Sequence, residues 1–462
     1  MGGRFMKMKK YKRIAAVSLI AGSVLLSAAC SNQSASTNGS DKEVIKITYR
    51  SGGGSNKGFT DWLNKEIIPQ FEKDNPKVDV QLSPLNVSEG DYFAKIALML
   101  KSKNTAPDIV TEDTFMVNSD ASAGYLTPLD DKVKDWSDWS NYTENVKKGV
   151  MAQDGKIYGV PYNTDSRGLW YNKDLFTKAG LPVPWEPKSW DEILQAARII
   201  KEKLPDVTPF WMNSGKATGE GTSMQTFEML LYGTKTPLYD TDSKKWIVKS
   251  QGLTDTFKFI DTIYKEKLGP NLSQVLNGQA GAVAYQQLMP KGKLAIGLDG
   301  IWQTGNWGES GSAPWPEAFK TLGFAPMPTQ NGEAPGTITM SGGWALSIPN
   351  NSHHKDKAWE FIKFASSKEH TLSLLTKERN LTTRDDVAQE KSYQEIPMFK
   401  EATEFLKFAQ FRPAVDKYPT VSTQIQSLVE DVVTEKITPE QAAKEYQKNV
   451  TKIVGQDNVI EK

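Results

Sequence analysis

The stretch VIKITYRSGGGSNKGFTDWLNKEIIPQFEKDNPKVDVQL, Val44 to Leu82, sets the architecture. Its opening VIKITYR alternates like a strand. TDWLNKEIIPQFEKDNP then places Trp62 or Leu63, Glu66 or Ile67, and Phe71 at helical spacing until Pro76 stops it. VDVQL alternates again, with Val78, Val80 and Leu82 on one face. Strand, helix, strand in this order predicts a parallel sheet with right-handed crossovers.

Reading outward along the chain extends the pattern. YFAKIALMLKSK suits a helix with Ile96, Met99 and Leu100 near one face, and PDIVTED supplies a strand ending at Glu112 and Asp113, so the first lobe is α/β. In SWDEILQAARIIKEKLP, Ser189 and Glu192 have capping-box spacing, and Ile193, Ala197, Ile200 and Leu204 form a buried stripe. TPEQAAKEYQKNVTKIV repeats the signature with Thr438, Pro439 and Gln441, so the second lobe is richer in helix. A chain of 462 residues exceeds one ordinary core, hence two lobes.

Reading outward the other way meets an address rather than a fold. MGGRFMKMKKYKR carries six basic side chains and no acid, and the apolar run Ile14 to Ala29 ends at small residues before Cys30. That is a secretory signal over residues 1–29, too short and too interrupted by serine and glycine for a membrane span. Cys30 is the only cysteine, and LLSAAC resembles a bacterial lipobox, with Ser27 where leucine is usual. The resemblance implies that Cys30 becomes a lipidated first residue, palmitate being an expected acyl group, and that residues 30–42 tether an extracytoplasmic protein to the bacterial cell membrane. Removing the first 29 residues leaves 50 basic against 55 acidic side chains, a balance of −5 that is ill suited to nucleic acid.

In an open parallel sheet, ligands gather beyond the carboxyl ends of the strands. Those ends carry SGGGSNKG, SPLN, Glu112-Asp113-Thr114, Asn163-Thr164-Asp165 with Arg167, and LDGIWQTGNW with Asp299, Trp302 and Trp307. Carboxylates, amides and an arginine suit paired hydroxyls, and indoles suit the C–H face of a pyranose, so the loops point to a sugar. The glycine run matches neither phosphate-loop pattern, and the three histidines, His353, His354 and His370, have no metal spacing, so neither metal nor cofactor is expected. Paired carboxylates such as Asp113 and Asp299 leave an extracellular glycoside hydrolase open as an alternative. A receptor for a non-sugar solute is another.

GKIYGVPYNTDSRGLWYNKDLFTKAGL, Gly155 to Leu181, followed by SWDEILQAA, resembles the signature of the extracellular solute-binding proteins, family 1, of ABC sugar importers, the group that includes maltose-binding protein. APDIVTED, GYLTPLD, GKLAIGLDGIW, FAPMPT, SGGWALSIP and KAWEFIKFASS continue it in the family's order. The resemblance implies a two-lobed periplasmic-binding-protein-like fold of type II, each lobe a sheet flanked by helices, hinged to close on a carbohydrate. Residues 43–162 with 294–340 are expected in one lobe, and 163–293 with 341–462 in the other. It also implies a monomer that hands its sugar to ABC permease subunits without covalent chemistry. Carried over by position, the ligand-binding residues are Asp113, Tyr162, Asp165, Trp211, Asp299, Trp302, Trp344 and Arg384. Tyr418 ranks lower, and Trp136, Trp139 and Trp246 are expected in lobe packing.

Overall fold

The computed structural model describes residues 42–51, 57–87, 89–309 and 311–462. The expected signal segment, Cys30, the tether up to residue 41 and the core of the glycine run, residues 52–56, lie outside the described residues.

Strands β1 (Glu43–Arg50), β2 (Val78–Leu85) and β3 (Ile109–Asp113) form as read, with β1 parallel to both neighbours. Ile45, Ile47 and Tyr49 enter the core at the strand period of two, and Trp62, Leu63, Ile67 and Phe71 bury the face of the helical stretch Lys57–Asp74 against them. That stretch widens to a π-turn at Leu63–Ile67 just ahead of Pro69, which has no N–H to continue the ladder. Beyond β3, β4 (Val160–Thr164) and a strand returning from far along the chain, Gly343–Ser347, complete a five-stranded sheet. The return strand lies between β3 and β4, antiparallel to both.

The second sheet has four strands, β5 (Arg167–Asn172), β6 (Thr208–Trp211), Leu294–Gly300 and Leu322–Ala325. Leu294–Gly300 runs antiparallel to β5 and parallel to β6, and all seven of its residues are buried. This corrects the expected lobe boundaries: strands 294–300 and 322–325 belong with β5 and β6, whereas 343–347 belongs with β1 to β4. A run buried along its whole length satisfies a central position in either sheet, so its sequence does not say which sheet takes it. Helices Lys355–Ala365 and Lys368–Glu378 likewise pack on the first sheet through Trp359, Phe361, Ile362 and Leu374.

The helix over Trp190–Lys203 starts at Ser189 as read, but its capping box is half formed. Ser189 Oγ accepts the Glu192 N–H at 3.3 Å, while the Glu192 carboxylate takes the N–H of Lys188 at 2.8 Å instead of returning to Ser189. At Thr438 the reciprocal box is complete, and Ala442, Tyr446 and Val450 of Pro439–Val454 join the second core.

The chain crosses between the sheets at Asn163–Arg167 and again at Met340–Gly343, and the two crossings are stitched together. Thr164 Oγ1 donates to Gly342 O at 2.8 Å, Gly342 N–H donates to Asp165 Oδ1 at 3.0 Å, and Ser341 Oγ donates to Asp165 O at 2.7 Å. A third segment joins them where Ser341 N–H donates to Gln410 O at 2.8 Å. Gly343 has φ +149°, and a Cβ there would stand 2.3 Å from Asn163 O, so the SGGW turn requires glycine.

Candidate functional site

A cleft of about 670 Å³ opens where the carboxyl ends of both sheets face each other. Arg50 and Asp113 end β1 and β3, Asn86 follows β2, Asn213 follows β6, and Asp299 ends the central strand of the second sheet.

The two tryptophans of LDGIWQTGNW do two different jobs. The strand carries Asp299 to its last turn, and Gly300 then leaves room for the Trp302 ring, which a Cβ would meet at 1.9 Å. Trp302 lines the cleft with the Arg167 guanidinium 4.8 Å from its ring centroid. Trp307, five residues on, turns the other way: it is 2% exposed, donates Nε1–H to Tyr285 O at 2.8 Å and packs edge-on against Trp170. Between them the segment contributes amides. Gln286 Nε2 donates to Asn306 Oδ1 at 3.2 Å, Ser312 Oγ donates to the same oxygen at 2.7 Å, and Asn306 Nδ2 donates to Gln303 Oε1. Burial lifts the Asp299 carboxyl to about 6, while the Gly300 N–H, Gln303 and Arg167 pull the other way.

The opposite part of the cleft is ionic. Asp113 caps helix Thr114–Ser122 through the Phe115 N–H at 3.2 Å and accepts Arg412 Nη2 at 2.6 Å. Arg412 Nη1 reaches Glu220 Oε2 at 3.2 Å, and the Tyr418 hydroxyl donates to Glu220 and Glu228 at 2.9 and 2.6 Å. Burial and the nearby Glu220 raise Glu228 to about 8. Asp165 and Arg167 form an ion pair at the crossing. Behind Asp113, burial and mutual repulsion hold the Glu112 carboxyl above the usual range, and burial does the same for Asp120. Among the described residues no three His, Cys, Asp or Glu side chains gather so as to hold a metal ion.

Of the residues expected at the site, Asp113, Tyr162, Asp165, Asp299, Trp302 and Trp344 line the cleft together. Two do not. Trp211, the last residue of β6, is wholly buried among Trp170, Tyr285 and Ile301, because alternate residues of a sheet covered on both faces are all core. Arg384 is 1% exposed and spent on structure: Nε and Nη2 donate to Asp386, and Nη1 donates to Asp138 and Ser366 O. Tyr418 is buried as well, and reaches the cleft through Glu220, which lines it. Trp246 packs in a core, and Trp136 and Trp139 stack beside Tyr142, as expected. Sequence reasoning missed Arg412, Glu220, Gln303, Asn306 and Gln286. Arg412 stands 299 residues from its partner Asp113, and no local pattern announces so distant an ion pair.

The family model for bacterial extracellular solute-binding protein matches residues 56–371, more than half of the chain. Relatives include the multiple sugar-binding protein of Streptococcus mutans, 26% identical over 373 residues, which are 78% of this chain and 80% of that one. Another is the arabinooligosaccharide-binding protein of Bacillus subtilis, 23% identical over 352 residues, 75% of this chain and 74% of that one. Among solved structures, an ABC transporter solute-binding protein of Thermotoga lettingae bound with α-D-tagatose superposes with a TM-score of 0.78 at 26% identity, covering 90% of this chain and 100% of that one. The GacH receptor of Streptomyces glaucescens, solved unliganded and with acarbose, superposes with a TM-score of 0.75 at 25% identity, with the same coverage.

Proposed function

The chain belongs to the bacterial extracellular solute-binding proteins, and from that premise we propose that it captures a carbohydrate, an oligosaccharide, between its lobes and delivers it to an ABC permease. The observation that carries this reading is the composition of one cleft at the carboxyl ends of both sheets. Trp302 and Trp344 offer indole surface there, Asp113 and Asp299 offer carboxylates, and Gln303 and Asn306 offer amides. Hydroxyls need paired donors and acceptors, and ring C–H faces need flat apolar surface. The relatives named for sugars support the same choice.

The proposal includes a monomer held at the outer face of the membrane by a lipid on Cys30, with residues 31–42 as tether. No helix among the described residues is long and apolar enough to cross a membrane. Growth with radiolabelled palmitate tests the anchor: label in the parent and none in Cys30→Ser is the expected result, and label in both removes Cys30 from the scheme.

Function is tested by calorimetric titration with malto-, cello-, xylo- and arabino-oligosaccharides, each mixture then chromatographed. Saturable binding with the saccharide recovered intact is expected. Shortened saccharides make the carboxylates catalytic, and no binding across the panel redirects the search to other solutes.

A further inference from the structure

Arg412 sits in the cleft without facing outward. Its side chain is 4% exposed, and both terminal nitrogens are engaged by carboxylates: Nη2 by Asp113 Oδ1 at 2.6 Å and Nη1 by Glu220 Oε2 at 3.2 Å. Asp113 ends β3 of the first sheet, whereas Glu220 stands on the segment after β6 of the second. One cation therefore joins acids from opposite lobes, two residues beyond Gln410, whose carbonyl binds the crossing at Ser341.

The surroundings leave the guanidinium little freedom. It lies 4.5 Å from the Phe115 ring centroid, and an added Cβ on Gly342 would come within 2.9 Å of Nη2. The same segment is tied to the first lobe again at Asp416, which accepts Asn118 Nδ2 at 2.6 Å and Ser122 Oγ at 2.8 Å. On the other side Tyr418 bonds Glu220 and Glu228, and the Ser422 and Ser223 hydroxyls donate to Glu220.

We infer that Arg412 is a positioning residue of the cleft: it holds Asp113 of one lobe and Glu220 of the other against one guanidinium, and so sets how the lobes meet around a ligand. The physical reason is the cost of leaving buried carboxylates uncompensated, which is relieved by moving them apart. Burial opposes the charge on Arg412, but Asp113 and Glu220 outweigh it and raise its pKa, so the cation is permanent. Because Asp113 and Glu220 both line the cleft, the spacing of these two acceptors follows from the same contact. The part that concerns sugar affinity rests on the carbohydrate reading, whereas the part that concerns the lobes does not.

Hydrogen exchange on the full chain in mild detergent tests the lobes directly. In Arg412→Gln, exchange in Thr114–Ser122 and Ala409–Tyr418 rises by roughly tenfold or more while β1 and β6 keep their protection. Arg412→Lys keeps the charge on a single head, raises exchange less, and carries the test should the glutamine variant fail to fold. Adding Asp113→Asn to Arg412→Gln removes the facing charge and returns exchange toward the parent. A role in packing alone yields no such recovery, and either that result or parental exchange in both single variants overturns the inference. Titration with the four saccharide series reads the second part: both single variants weaken, by roughly tenfold for glutamine, whatever saccharide the parent binds. Unchanged affinity overturns the positioning role. A parent that binds none of them defeats the carbohydrate reading and leaves the exchange result to decide this one.

Discussion

Two buried arginines, Arg384 and Arg412, have nearly the same chemistry and different consequences. Each is held between two carboxylates and lies over an aromatic ring, Tyr142 at 5.5 Å for Arg384 and Phe115 at 4.5 Å for Arg412. Arg384 is anchored by Asp386, two residues along its own segment, by Asp138, and by the Ser366 carbonyl, so it fastens Thr382–Asp386 in place. Arg412 is anchored by acids on two lobes. Removing one partner of a buried ion pair within one rigid neighbourhood strands the other and costs stability, and the same loss across a hinge bears on how two bodies close. What separates them is whether their partners move relative to each other.

The same contrast runs through the tryptophans of LDGIWQTGNW, and it yields the largest expected effect. Trp307→Ala removes a core indole that meets Trp170 and Trp315 edge-on and lowers stability by about 3–5 kcal/mol, read from urea unfolding midpoints. A loss below about 1 kcal/mol would erase the distinction from Trp302. Next comes Arg384→Gln, which strands Asp138 and Asp386; because those carboxylates keep 35% and 25% exposure, the loss is nearer about 2–3 kcal/mol. Saccharide affinity of the folded variant stays at the parent level. A drop in affinity with no drop in stability would return Arg384 to the site and collapse its contrast with Arg412.

Trp302→Ala weakens saccharide binding by about 1–3 kcal/mol with stability nearly unchanged. Calorimetry on the variant checks this, and parental affinity removes the indole from the ligand surface.

The last contrast concerns pH. Glu228 titrates near 8 in the folded chain against an ordinary 4.5, so between those values the folded state keeps a proton that the unfolded chain has released. Stability attributable to this group therefore falls as pH rises from about 4.5 to about 8 and is level above that. Glu228→Gln keeps an oxygen for the Tyr418 hydroxyl and flattens this slope, so the variant gains on the parent from pH 5 to pH 8. Parallel unfolding curves across that range would mean that Glu228 carries no buried proton.

Much of the fold was legible because it rests on local periodicity. The β1 to β3 unit, the cap at Thr438 and the buried stripe of Trp190–Lys203 all follow from spacing over a few residues. Six cleft residues were legible too: strand ends and crossings pointed to Asp113, Asp165, Asp299 and Trp302, and the family resemblance added Tyr162 and Trp344. Trp211 and Arg384 failed for a common reason. Residue type states what a side chain is able to do, and only its neighbours state whether that capacity is already spent. Trp211 is enclosed by core, and the nitrogens of Arg384 are occupied by Asp386, Asp138 and Ser366.

By itself, then, the sequence determined the parallel β-α-β start of the first lobe, the helix starts and the chemical palette of the cleft, because hydrophobic period, caps and loop composition act between near neighbours. Tertiary structure alone decided which sheet receives Leu294–Gly300 and Gly343–Ser347, which of two indoles in one loop meets the cleft, and that Arg412 answers Asp113 across 299 residues. Those outcomes depend on strand pairing and on charges that meet only after the chain has crossed between the lobes, and no window of local sequence contains both partners.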